Sequence, residues 1–155
     1  MFEKVKIKKR KPRTIAYIRH KGDHSKIPYK EYIDRLYEWS KRKRARPGMR
    51  PMSIYIDNPK KKPKNKLRTD IAVPIKKGIK GEGKIKIKDL PKSKFASMKF
   101  KGSPDEYDKA YSELEDWIKE NGYKISGKPV EIFTGTPKEE KGKTVIRSRI
   151  EIPIK

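Results

Sequence analysis

The chain has 155 residues, of which 44 are Lys or Arg and 20 are Asp or Glu, for a formal charge of +24. Hydrophobic residues make up 32% and charged residues 41%, close to compositions that stay unfolded, so a core must come from arrangement rather than amount. The absence of cysteine excludes disulfides, thiolate metal sites and thiol nucleophiles, and no apolar run approaches the ~18 residues of a bilayer span.

In chain order, Val5 and Ile7 alternate with lysines, the period of a half-buried strand. Thr14 to His20 predicts a second strand. A helix begins at Pro28 and carries Tyr29, Tyr32, Ile33, Leu36 and Tyr37 at helical spacing. Its end holds Lys41-Arg42-Lys43-Arg44, where cations suit the carbonyl pole of the macrodipole. In the strand from Met52 to Asp57, alternation sets Met52, Ile54 and Ile56 on one face, expected to pack under the helix. Ser53, Tyr55 and Asp57 take the other. Arg68 to Lys76 is a further strand.

After Lys77 to Gly83 the series starts again. Ile85 and Ile87 form a strand and Phe95 to Phe100 another. Ser103-Pro104-Asp105-Glu106 reads as a capping box with proline at the first helical position. The apolar stripe Tyr107, Ala110, Tyr111, Leu114, Trp117, Ile118 follows, and Asn121-Gly122 stops it. Val130, Ile132 and Thr134 then share one face of a strand, with Glu131, Phe133 and Gly135 on the other.

The two series match residue by residue. Tyr29 falls on Tyr107, Leu36 on Leu114, Trp39 on Trp117, and "RTDIAVPIK" on "RSRIEIPIK". The expectation is an α+β chain built as a tandem duplication of a β-α-β-β type unit, with antiparallel sheets and one long helix per half. The repeats run over 4–76 and 84–155, joined by the linker 77–83. If the sheets curve toward each other, Tyr55, Phe133, Tyr17 and Phe95 line a groove between halves, holding a carboxylate from one copy only.

The helices ending in Trp39 and Trp117, the stretch "GYKISGKPVEIFTGTP" from Gly122 to Pro137 and the strand "RTDIAVPI" together resemble the GyrI-like small-molecule-binding domain. The same domain serves as the effector-binding part of several bacterial transcription activators. The resemblance covers about Lys4 to Lys155. It implies a ligand cleft between duplicated halves, and by position it implies Glu131 as the carboxylate that meets lipophilic organic cations. Tyr55, Phe133, Tyr17, Tyr37, Trp39 and Trp117 are the aromatic companions so implied. Aromatic faces attract a cation by roughly 0.5–2 kcal/mol each. With 1–155 consumed by the repeat, a stand-alone domain without a DNA-reading helix-turn-helix is expected.

Three functional readings follow. The first is binding of a lipophilic or aromatic small molecule, without cofactor, metal or catalytic residue. His20 and His24 are four apart but read as loop residues. A +24 surface repels cations at a distance, so anionic and neutral ligands stay open. The second is binding of DNA, or of a DNA enzyme such as gyrase, through the basic first half. Residues 1–78 hold 26 basic and 7 acidic residues, a net +19 against +5 for the remainder. The third, implied by relatives that hydrolyse cyclopropane-type alkylators, has Glu131 and Tyr55 direct water onto a reactive ring. A basic start lacking an apolar core argues against a signal peptide, and a cytoplasmic, membrane-free setting is expected.

Overall fold

A computed structural model describes residues 5–103 and 106–155. These contain nine strands and two α-helices in an α+β arrangement, and every strand pairing below is antiparallel. The strands are β1 (Lys6–Arg10), β2 (Arg13–Lys21), β3 (Met52–Tyr55), β4 (Arg68–Ile75), β5 (Lys86–Leu90), β6 (Ser93–Gly102), β7 (Val130–Phe133), β8 (Lys138–Glu140) and β9 (Lys143–Pro153). The helices are α1 (Tyr29–Arg42) and α2 (Tyr107–Glu120). No described helix is long and apolar enough to cross a membrane.

The chain divides into two compact units. One is the continuous segment Lys11–Lys92. The other joins Ser93–Lys155 to the chain up to Arg10. In the continuous unit β5, β2, β4 and β3 lie side by side in that order; in the other unit the order is β1, β6, β9 and β7, with β8 on β9. The strand that opens the chain therefore pairs with β6, and the strand after the linker pairs with β2.

Each unit has its own core. In the continuous unit the apolar stripe of α1, with Leu36 and Trp39 buried, covers Ala16, Ile18, Ile71 and Val73. In the other, Ala110, Leu114 and Ile118 of α2 cover Ala96, Met98, Ile150 and Ile152. Both helices begin within one residue or so of the positions their stripes predict, α1 directly after Pro28. Of the capping box before α2, Pro104 and Asp105 lie outside the described residues. Ser103 Oγ donates to Glu106 Oε1 at 3.2 Å, and the Glu106 amide donates to the Ser103 carbonyl at 3.0 Å.

Pairing register corrects the faces expected for β3 and β7. Directly opposed residues of an antiparallel ladder share a face. Ser53 stands across from Ile71 and Tyr55 across from Thr69, so both lie on the face that carries α1. Met52 and Ile54 stand across from Ala72 and Asp70, on the face away from the helix. In the other unit Glu131 opposes Ile150 and Phe133 opposes Ser148, again on the helix face, with Val130 and Ile132 turned away. Hydrophobic rank misleads here because both faces are buried: Met52 is 1% exposed and Ser53 0%. Alternation fixes which residues travel together but not which side they take.

Leu36 and Leu114 are fully buried. Replacing either with Ala should lower the urea unfolding free energy by about 2–5 kcal/mol. Met49→Ala, at a side chain 94% exposed, should stay within about 0.5 kcal/mol.

Candidate functional site

Strand β9 is the scaffold of one helix face. Ser148 interrupts its inward aliphatic series Ile150, Ile152, and it is flanked by Phe133 on β7 and Phe100 on β6. One row along, Ile150 is flanked by Glu131 and Met98. Glu131 is fully buried and accepts a hydrogen bond from Ser148 Oγ at 2.8 Å, which fixes the orientation of its carboxylate. The Phe100 ring stacks on Tyr107 at the start of α2, with centroids 4.7 Å apart. A carboxylate is thus held within a patch of aromatic and aliphatic side chains. Low dielectric strengthens any charge it meets there.

The continuous unit repeats this row with different chemistry. Across β3, β4 and β2 the row is Tyr55, Thr69, His20, and Ser53 occupies the place Glu131 has in the other unit. The His24 ring lies 5.3 Å from Tyr55, and His20 lies 6.2 Å from Tyr32. Ser53 and Thr69 are fully buried hydroxyls without a hydrogen-bond partner among the described residues. This face carries two buried hydroxyls, and its counterpart in the other unit carries a carboxyl group.

The face away from the helices is already neutralised by its own cations. Asp70, fully buried, accepts from Arg19 Nε at 2.8 Å and Nη2 at 3.0 Å, and from Lys88 Nζ at 2.6 Å. The bond to Asp70 raises the Arg19 pKa above its ordinary value. Lys88 Nζ lies 4.4 Å from the centroid of the Tyr17 ring. In the other unit Arg10 forms a two-pronged pair with the buried Glu151 and sits 4.6 Å over Phe95. Tyr17 and Phe95 are therefore cation-covered and lie on the opposite sheet faces from Tyr55 and Phe133.

Of the aromatic side chains expected at the site, Phe133 shares the Glu131 face, and Tyr55 takes the matching position in the continuous unit. Tyr37 ties down a loop: its hydroxyl donates to the Gly48 carbonyl at 2.8 Å, and burial pushes its phenol pKa up. Trp39 is a core residue at 3% exposure, and Trp117 stacks on Tyr123 with rings 6.3 Å apart. Phe100, Tyr107 and Ser148 were not singled out from the sequence as site residues. The legible signal was Ser148, a lone hydroxyl in an otherwise aliphatic alternation. Two open depressions lie elsewhere, about 450 Å³ beside the 79–87 loop and about 680 Å³ beside Glu106 and Lys143, and neither includes Glu131.

Asp57 holds the end of the β3–β4 ladder that positions Tyr55. It accepts three bonds from Arg68, all at 2.9 Å, and pairs with Lys62 at 3.1 Å. The Arg68 guanidinium holds the Asp57 carboxyl far below the usual carboxylate range. A carboxyl depressed by folding stabilises above its unfolded pKa of about 3.9, and that stabilisation is lost as pH falls through the folded value. Stability measured by urea unfolding should therefore decline below about pH 4, and Asp57→Asn should flatten part of that decline.

The family model of the GyrI-like small molecule binding domain matches residues 3–155. DNA gyrase inhibitor 2 of Dickeya dadantii (strain 3937) is 31% identical over 95 residues, 59% of this chain; the match covers 60% of that relative's length. Among solved structures, EcmrR in its DNA complex superposes with a TM-score of 0.77 at 18% identity, over 98% of this chain and 57% of that one. The crystal structure of the EcmrR C-terminal domain gives 0.73 at 18% identity, over 100% and 98%. SAV2435, solved with tetraphenylphosphonium bound, gives 0.53 at 15% identity, over 99% and 94%. These structural likenesses concern the fold.

Proposed function

The chain belongs to the family of GyrI-like small molecule binding domains, and from that premise we propose that it binds lipophilic, aromatic molecules bearing a positive charge, with Glu131 as the recognising carboxylate. The observation that carries this reading is Glu131 itself: a fully buried acid, hydrogen-bonded by the hydroxyl of Ser148, on a sheet face with Phe133 and with Phe100, whose ring stacks on Tyr107 of α2. A carboxylate in apolar surroundings attracts an organic cation strongly, and the cation's rings pack on the aromatic side chains beside it. Pockets for such ligands are largely apolar with a few placed polar groups, which describes this face. The solved SAV2435 complex, whose fold is similar, supplies a suitable probe in tetraphenylphosphonium.

The same reading treats the chain as a duplication. The support is the matching strand order of the two units and the matching rows Tyr55-Thr69-His20 and Phe133-Ser148-Phe100. On this view the copies diverged on the helix face, with Ser53 in one where Glu131 stands in the other.

Titration calorimetry with tetraphenylphosphonium should detect binding by the wild type, and Glu131→Gln should weaken it by at least about tenfold, the size of one desolvated charge interaction. Undiminished affinity in Glu131→Gln, with its melting temperature intact, would sink the assignment. The +24 surface gives a second, signed expectation. Added salt should strengthen binding of the cation, because it screens the repulsion that opposes approach while leaving the buried contact intact.

A further inference from the structure

The helices end in the same backbone motif with different residues at its strained position. After α2, the Tyr123 amide donates to the Ile118 carbonyl at 3.0 Å and the Gly122 amide to Lys119 at 3.1 Å. Gly122 has φ +80, the left-handed conformation this cap requires. After α1, the Ala45 amide donates to Ser40 at 2.8 Å and the Arg44 amide to Lys41 at 3.1 Å. The left-handed position there is Arg44, with φ +55, and Arg46, two residues on, has φ +51. Glycine takes such a conformation without steric cost, whereas a side-chain-bearing residue does not. Glycine suits the backbone at these two places, and Ala45 between them is the residue that is buried.

The guanidinium groups stand in a basic setting. The Lys76 amide donates to the Ala45 carbonyl and the Gly48 amide to the Pro74 carbonyl, both at 2.8 Å, so the loop after α1 is fastened to the end of β4. A Cβ on Gly48 would come within 2.9 Å of the Pro74 ring, so the fastening is close. Arg44, Arg46, Arg50, Lys76 and Lys77 are all exposed on this end of the continuous unit, and none has an acidic partner within 4.0 Å among the described residues. Glu82 is engaged by Arg42 at 3.0 Å and Lys43 at 3.3 Å.

We propose that this end of the continuous unit, centred on Arg44 and Arg46, is a binding surface for the phosphate backbone of double-stranded DNA. Planar guanidinium forks match phosphate oxygens in two-pronged geometry, which accounts for arginine where glycine fits the backbone better. Segments 41–50 and 74–80 contain no aromatic residue, so base stacking on a single strand has no platform here. Met49 is the one exposed large apolar side chain on this end, too little to anchor a membrane without a second signal. Binding through backbone contacts is insensitive to sequence. This surface is built from the continuous unit alone and stands or falls independently of the ligand proposal.

The test is fluorescence anisotropy with a labelled duplex of arbitrary sequence across about 50–200 mM salt, with melting temperatures read in parallel. The wild type should bind with an affinity that falls steeply with salt. Arg44→Gly should weaken binding and shrink the log–log salt slope by about 0.9. It should also raise the melting temperature by about 2–4 °C, because glycine relieves the strained cap. The triple variant Arg44→Gly, Arg46→Gln, Arg50→Gln should lose at least about tenfold in affinity and about three times that slope increment. Neutralising Lys60, Lys61 and Lys62 should have less effect. The proposal is overturned by absent binding at low salt or by a triple variant that binds as well as the wild type. A melting temperature that falls in Arg44→Gly would assign the arginine to the fold and overturn it too. So would capture by phosphatidylserine vesicles without duplex binding.

Discussion

One interior strand of each unit, β4 in one and β9 in the other, pairs with the strand that carries the candidate site residues, and its register fixes the chemistry on either side. Because side chains alternate strictly, setting Glu131 across from Ile150 commits the acid to the face covered by α2. A slip of one residue would turn Glu131 outward and bring Val130 and Ile132 under the helix. It would also cost the Ser148 bond, since Ser148 and Glu131 meet only in the observed pairing. The clamp of Asp57 on Arg68 plays a comparable part for β3, gripping one end of its ladder with charge-assisted bonds.

The charged residues sort into groups by what they face. Asp70, Glu151 and Asp57 are each met by guanidinium or ammonium groups of the same unit and act as internal fasteners. Pairs of this kind are costly to break from one side, because the remaining charge is left buried. Glu131 differs in having a hydroxyl among its partners, and Arg44 and Arg46 differ in occupying conformations that suit another residue. At Arg44 and Arg46 local stability is given up for a chemical group, the pattern expected where a protein meets something outside itself.

Much of the architecture was legible in the sequence. The two helices announce themselves through stripes containing Leu36 and Leu114, and the strands through alternation, because each is a local consequence of period. The faces were not, because alternation defines two sets and only the partner strand decides which lies under the helix. With Met52 and Ser53 both buried, polarity does not discriminate, and ranking by hydrophobicity puts the wrong set under the helix. The same limit hid the fate of Tyr17, whose ring is covered by Lys88, a residue 71 positions away. Alternation sets Glu131 on one face with Phe133, and the family resemblance gives it its role. The serine that orients it and the aromatic pair Phe100 and Tyr107 came only from register.

The pairing of β1 with β6 has a consequence for the order in which the chain completes itself. The continuous unit needs only residues 11–92, so its sheet and core require nothing made after Lys92. The other unit joins the strand at Lys6–Arg10 to partners beyond Ser93, and its innermost strand ends at Pro153. Strand β1 must therefore wait, unpaired, through the synthesis of everything between. Its exposed lysines, at Lys6, Lys8 and Lys9, are what a waiting edge strand needs, since charge deters pairing with strangers. During translation, then, part of the positive charge serves as a guard on an unfinished sheet.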